Sequence, residues 1–176
     1  MTLSFALIVI TSYLVGAIPT GIVLTRLAGG QDIRKAGSGN IGATNVYRVA
    51  GKGLGILTLV GDALKGVLPV IYVTRVAEYS DMQIALVAVA AFIGHCYPVY
   101  LKFKGGKGVA NALGIFLVLS PLSVLCALGV FLVVLWRWRY ISLSSISAAA
   151  AITPLIYFIE NSVPILIAAC VISTVI

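Results

Sequence analysis

The chain is short of charge, and the charge it has is one-sided. Of its 176 residues, 10% are Asp, Glu, Lys or Arg, against 61% that are hydrophobic. At that ratio, with a mean hydropathy of +1.13, a soluble domain is excluded and a bilayer is the expected solvent. Acid is scarcest: five Asp and Glu face 12 Lys and Arg, for a formal net charge of +7. The cations cluster between apolar runs and lack interleaved aromatics. That favours anionic lipid headgroups or small phosphorylated ligands over nucleic acid. Cys96, Cys126 and Cys170 lie in apolar surroundings with no close pairing. They are expected as buried free thiols, neither a disulfide frame nor a metal set. The N-terminus has no basic n-region, so no cleaved signal peptide is expected.

What is there is a series of apolar runs. Leu3–Leu27 is the first, with Pro19 expected to kink it, helped by Gly16 and Gly21. Gly53–Val76, Met82–Leu101, Val109–Leu119, Leu122–Trp136, Ile141–Ile159 and Ile165–Ile176 follow. Basic segments fall after runs one, three and five. The turns with Glu78, Asp81 and Glu160 belong to the other set, after runs two, four and six. By the positive-inside rule this predicts an all-α polytopic membrane protein, a single transmembrane domain over residues 1–176. It has about seven transmembrane helices, its N-terminus outside and its motif loops on the cytoplasmic face. Arg75, at an outer end, is the one exception, and Trp136, Trp138 and Tyr140 fit an inner aromatic belt. Val109–Leu119 is short for a hydrocarbon core of roughly 30 Å, so it is expected to tilt or to follow a re-entrant loop. Ile165–Ile176 is also too short to span, and a polar tail is expected beyond it.

Three polar stretches interrupt the apolar pattern. Gly37–Lys52 holds hydroxyls, amides, glycines and cations but no acid. Glycines at 37, 39 and 42 let backbone N–H groups converge. Ser38, Asn40, Thr44 and Asn45 add neutral donors, and Arg48 and Lys52 add charge. If Ile41–Val49 is helical, Thr44 and Arg48 stand one turn apart on one face. This surface suits a phosphate; the plain alternative is a solvated loop. Further on, Gly105-Gly106-Lys107-Gly108, with Lys104 before it, leads into an apolar helical run, whose free amides would form an anion site beside Lys107. It is not a P-loop, because Gly108 follows Lys107 and Leu101 stands where the first glycine is required. The third stretch, Ser142-Leu143-Ser144-Ser145, lies beside Arg137 and Arg139. Serine is common in packed transmembrane helices, yet the three stretches meeting at the inner face would form a pocket. Asp62 and Lys65 share a helical face within the second run, where each charge costs roughly 2.5–3.5 kcal/mol at a bilayer centre. They read equally as an internal ion pair bracing the helix or as support for a phosphate site. His95, the single histidine, reads first as a hydrogen-bonded structural residue, with a proton acceptor as the alternative. No motif for a metal or nucleotide cofactor is visible.

With these residues laid out, the chain resembles the bacterial integral-membrane, acylphosphate-dependent glycerol-3-phosphate acyltransferases. The likeness covers essentially the whole chain. Ser38-x-Asn40-x-Gly42-x-x-Asn45-x-x-Arg48, continuing through Gly61-Asp62-x-x-Lys65-Gly66, is similar to the family's first motif. Gly94-His95 with Phe103-Lys104-Gly105-Gly106-Lys107-Gly108-x-Ala110 is similar to its second, a glycine-rich phosphate-binding loop. Ser142-Leu143-Ser144-Ser145 is similar to the serine part of its third, whose His and Asn would lie in the polar tail. The resemblance implies acyl transfer from acyl phosphate to the 1-hydroxyl of glycerol 3-phosphate in the bacterial inner membrane, with the active site facing the cytoplasm. No cofactor is expected, no obligate protein partner is inferred, and the expected partners are the two substrates and membrane lipid. Expected catalytic residues are Ser38, Arg48, His95, Lys107 and Ser145. Expected substrate-holding residues are Asn40, Gly42, Thr44, Asn45, Lys104, Gly105, Gly106, Gly108, Ser142 and Ser144, with Asp62 and Lys65 in support. The His-x4-Asp pair of soluble-type glycerolipid acyltransferases is absent: Tyr100 takes the acid's place, and no carboxylate is near His95 in the sequence. A transporter or channel for a phosphorylated anion is the rival class. It is disfavoured because no internal repeat links the halves and the polar groups gather at one face instead of the midplane.

Overall fold

The computed structural model describes residues 2–77 and 79–176; Glu78, one of the acids read into the second turn, lies outside the described residues. Nine α-helices are found among them: α1 (Leu3–Gly16), α2 (Thr20–Leu27), α3 (Ala43–Ala50), α4 (Lys52–Ile71), α5 (Asp81–Cys96), α6 (Val109–Leu119), α7 (Pro121–Trp138), α8 (Ile141–Ile159) and α9 (Val163–Val175). The architecture is all-helical, as the apolar runs require.

The first run is two helices and not one. Pro19 has no N–H to continue α1 and its ring excludes the carbonyl one turn earlier. The chain therefore breaks and bends by 48° into α2. The expected kink is a full break, and it leaves the Ile18 carbonyl free to accept a hydrogen bond from Lys65 Nζ at 2.7 Å. Length and composition qualify four helices as crossings: α4 extended to Val76, α5 extended to Leu101, α7 and α8. The α1–α2 pair makes a fifth if the bend lies within one span. At about 1.5 Å per residue, α6 with 11 residues rises about 16 Å, half of a roughly 30 Å core. All seven apolar runs are helical, then, but only four or five are long enough to cross.

Glycine brings two helix pairs together. A Cβ on Gly16 would overlap the Ala91 carbonyl, and one on Gly94 the Tyr13 carbonyl, so α1 and α5 touch backbone to backbone. Gly66 meets the Asn111 carbonyl and Gly114 that of Ala63 in the same way, which seats α6 on α4. Lipid offers no hydrophobic drive for helix association, so close van der Waals approach through small residues must supply it. Phe5, Val73, Val87, Phe92, Ile115 and Ile156 fill the core between α1, α4, α5, α6 and α8. The outside is apolar too: Leu125, Leu132, Val133 and Trp136 of α7 are exposed, as a bilayer solvent allows. Of the three thiols expected to be buried, only Cys96 is; Cys126 and Cys170 are exposed because their helix faces are not covered by neighbours.

Candidate active site

The first basic loop carries its own small core. Ile33 and Ile41 of the loop and Val46 of α3 pack with Ile22 of α2, and Leu101 leans on them from the second basic loop. Asn45 ties the loop together. Its Nδ2 donates to the carbonyls of Ile33 at 3.0 Å, Ala36 at 3.2 Å and Asn40 at 2.8 Å, while Oδ1 accepts from the Ser38 amide at 2.8 Å. Asn40 Oδ1 in turn accepts from the Gly42 amide at 2.8 Å, setting the start of α3. Gly37, at φ +61°, lies against Asn45 Oδ1, where a Cβ has no room. Ser38, Thr44 and Arg48 remain exposed on this frame, Thr44 and Arg48 one turn apart on α3 as expected. The nearby acid Asp32 is engaged by Arg34 at 2.6 Å, and hydrogen bonds from the Arg34 guanidinium and amide hold its carboxyl well below the usual carboxylate range.

The second basic loop is secured from beneath. The Gly105 amide donates to the Cys96 carbonyl at 3.1 Å and the Gly106 amide to that of His95 at 3.2 Å. Gly106 also lies against the His95 ring, where a Cβ would overlap Nε2. The amides of Gly105 and Gly106, two of the residues expected to hold substrate, are thus spent on α5 and not free for an anion. Unsatisfied amides begin instead at Lys107 and run into the first turn of α6, which has no side-chain cap. Lys104 and Lys107 are exposed beside them, without an ion-pair partner among the described residues.

Beneath the second loop is a buried polar cluster drawn from three helices, and Lys65 Nζ ties it to the Ile18 carbonyl at the α1–α2 break. Lys65 Nζ is 2.9 Å from Asp62 Oδ1, with both side chains almost fully enclosed. His95, 3% exposed, brings Nδ1 to 3.7 Å from the same carboxylate oxygen, beyond hydrogen-bond range. Asn111, on α6, donates from Nδ2 to the Asp62 carbonyl at 3.3 Å. His95 Nδ1 and Asn111 Oδ1 are buried with no hydrogen-bond partner. The serine stretch stands apart. Ser144 is buried and donates to the Tyr140 carbonyl at 2.8 Å, Ser145 donates to Ile141 at 2.8 Å, and Ser142 is exposed. No hydrogen bond or ion pair joins these serines to either loop among the described residues. The first two stretches touch through Leu101, which packs on the core of the first loop; no hydrogen bond or ion pair brings the third to them among the described residues.

The family profile described as Glycerol-3-phosphate acyltransferase matches residues 6–176. The chain belongs to that family. A glycerol-3-phosphate acyltransferase from Syntrophotalea carbinolica is 66% identical over 165 residues, 94% of this chain and 84% of that protein. One from Geotalea daltonii is 55% identical over 154 residues, 88% of this chain and 78% of that protein. Among solved structures, PlsY (YgiH), an integral membrane glycerol 3-phosphate acyltransferase, in its glycerol 3-phosphate form matches with a TM-score of 0.90 at 40% identity. The match covers 98% of this chain and 86% of that one. Its lysophosphatidic acid form gives 0.89 at 39% identity, over 98% and 85%.

Within this acyltransferase family member, two features were beyond the reach of spacing along the chain. His95 does have a nearby carboxylate, supplied across helices by Asp62 and not by its own segment. Asn111 is the other: an amide fully buried on an apolar helix, polar in a position where only a partner justifies the desolvation. Its place, in the first turn of α6 directly after the glycines, was the available signal.

Proposed function

We propose that this chain transfers a fatty acyl group from an acyl phosphate to the 1-hydroxyl of glycerol 3-phosphate, giving 1-acyl-glycerol 3-phosphate and inorganic phosphate. The observation that carries the reading is the whole-chain match to structures named for a glycerol 3-phosphate form and a lysophosphatidic acid form, the two sides of one acyl transfer. The site's chemistry supports it. An acyl phosphate is a mixed anhydride with a good leaving group, so the protein's tasks are positioning and charge stabilisation. The hydroxyl oxygen bonds to the acyl carbon, the carbon–oxygen bond to phosphate breaks, and the hydroxyl proton passes to a phosphate oxygen of a substrate.

In this reading Ser38, Thr44 and Arg48 hold one phosphate on the first loop, with Asn40 and Gly42 presenting the start of α3. Asn45 shapes that loop from within, since its amide is committed to three carbonyls. Lys104, Lys107 and the Gly108 turn hold the other phosphate, with Gly105 and Gly106 closing the loop on α5. The apolar groove between α1 and α4, lined by Leu7, Thr11, Val15, Leu68 and Tyr72, begins one turn beyond Lys65 and suits the acyl tail. We place the chain in the bacterial inner membrane, the N-terminus outside and both basic loops facing the cytoplasm.

The test is an assay on purified, lipid-embedded protein with glycerol 3-phosphate and either acyl phosphate or acyl-CoA. Equal amounts of lysophosphatidic acid and phosphate are expected, with acyl phosphate alone. Product from acyl-CoA would overturn the donor; phosphorylated-anion uptake without product would replace the enzyme by a transporter.

A further inference from the structure

The glycine-rich loop contains little that can hold itself in place. Glycines bury no side chain, and Lys102 and Phe103 already occupy left-handed backbone at φ +53° and +62°. What fixes it is found at its two ends. On the entering side, His95 accepts the Gly106 amide on its carbonyl and packs its ring under the same glycine, while its Nδ1 faces the Asp62 carboxylate. On the leaving side, Asn111 reaches the Asp62 carbonyl. Both ends of the loop therefore rest on one residue of α4. That residue is itself pinned by Lys65, whose ammonium also takes the Ile18 carbonyl at the α1–α2 break. From that break α2 leads directly into the first basic loop.

We propose that Asp62, with Lys65, His95 and Asn111, is a buried post that positions the glycine-rich loop and fixes it relative to the first basic loop. These are positioning residues acting through Gly106 and the start of α6. The inference rests on the proposed acyl transfer and assigns the cluster a task within it. The cost of enclosing two charges, an imidazole and an amide, with His95 Nδ1 and Asn111 Oδ1 left without partners, is hard to account for as bracing alone. It is accounted for if the cluster defines where two phosphates are held.

The experiment compares wild type with His95→Gln, Asn111→Ala and, as a structural control, Ser123→Ala. Ser123 is a buried hydroxyl bonded to Ser120 Oγ at 2.6 Å, at the turn between α6 and α7 and outside the cluster. Turnover in lipid is measured alongside glycerol 3-phosphate affinity by calorimetry and the unfolding temperature. Wild-type turnover is established first, so failure of the activity reading shows there and cannot be mistaken for failure of the post. For His95→Gln and Asn111→Ala the KM of one phosphate substrate should rise about tenfold, with kcat within about threefold and the protein still folded. Ser123→Ala should leave KM unchanged. A fall in kcat of about a hundredfold at unchanged KM in His95→Gln would make His95 the proton acceptor and overturn its positioning role. Unchanged KM in both variants, or an equal rise in Ser123→Ala, would reduce the cluster to bracing. If His95→Gln fails to fold, Asn111→Ala, a smaller loss at the other end of the loop, decides alone.

Discussion

The two basic loops are held by opposite means. The first carries a small core of its own, stapled by Asn45 and packed through Ile33, Ile41 and Val46 on Ile22 of α2, so its exposed groups stand on side-chain packing close at hand. The second has almost no side chains to pack and borrows its rigidity from α4, α5 and α6 through Asp62. The difference teaches where sensitivity should lie. In the first loop, exposed side chains are separable from the frame that presents them. In the second, the residues that matter for the loop's shape are buried helix residues far from it in sequence.

The largest expected effect tests the borrowed rigidity. Lys65→Met leaves the Asp62 carboxylate enclosed without its countercharge, a change that costs about 3–5 kcal/mol and should lower the yield of folded protein and its unfolding temperature together. Adding Asp62→Asn removes the orphaned charge, and most of the unfolding temperature should return. A double variant no better folded than Lys65→Met would show that the pair is not the source of the loss.

Next is Arg48→Ala. Arg48 is exposed on α3, bonded to nothing else in the loop, so its removal should spare folding. As a stabiliser of charge on a transferring group it should cost about 10²–10³-fold in kcat/KM. Near-normal turnover would remove it from the site and shift the first loop's role to its hydroxyls and amides.

The contrast also explains what the sequence disclosed. The helices, the Asp62–Lys65 pair and the Thr44–Arg48 face follow from periodicities that a single segment carries, and a bend at Pro19 follows from proline's missing N–H, though not that the bend is a full break. The Asp62–His95 approach and the Asn111 contact join residues on different helices, and no spacing encodes which helices touch. The glycines encode it in part: Gly66 and Gly114 mark α4 and α6 as close neighbours, but only with both in hand does Asn111 fall beside Asp62. Gly105 and Gly106 are ambiguous in the sequence for a related reason. A glycine run before a helix looks the same whether its amides face a ligand or the end of the preceding helix, and here the carbonyls of His95 and Cys96 claim them.

The smallest expected effect separates frame from ligand in the first loop. If Asn45 served a phosphate directly, its loss would weaken binding and leave the fold alone. Its Nδ2 instead faces three carbonyls and its Oδ1 one amide, all within the loop. Asn45→Ala therefore orphans buried backbone groups and should cost about 1–3 kcal/mol of stability, with activity falling in step as the frame under Ser38 and Arg48 loosens. Asn45→Asp sharpens the point, because it keeps the shape and the acceptor but turns an oxygen toward the carbonyls of Ile33, Ala36 and Asn40. That replaces three attractions by repulsions, so Asp should be at least as damaging as Ala in a thermal unfolding series. A stable Asn45→Asp protein with only a raised KM would give Asn45 back to the ligand.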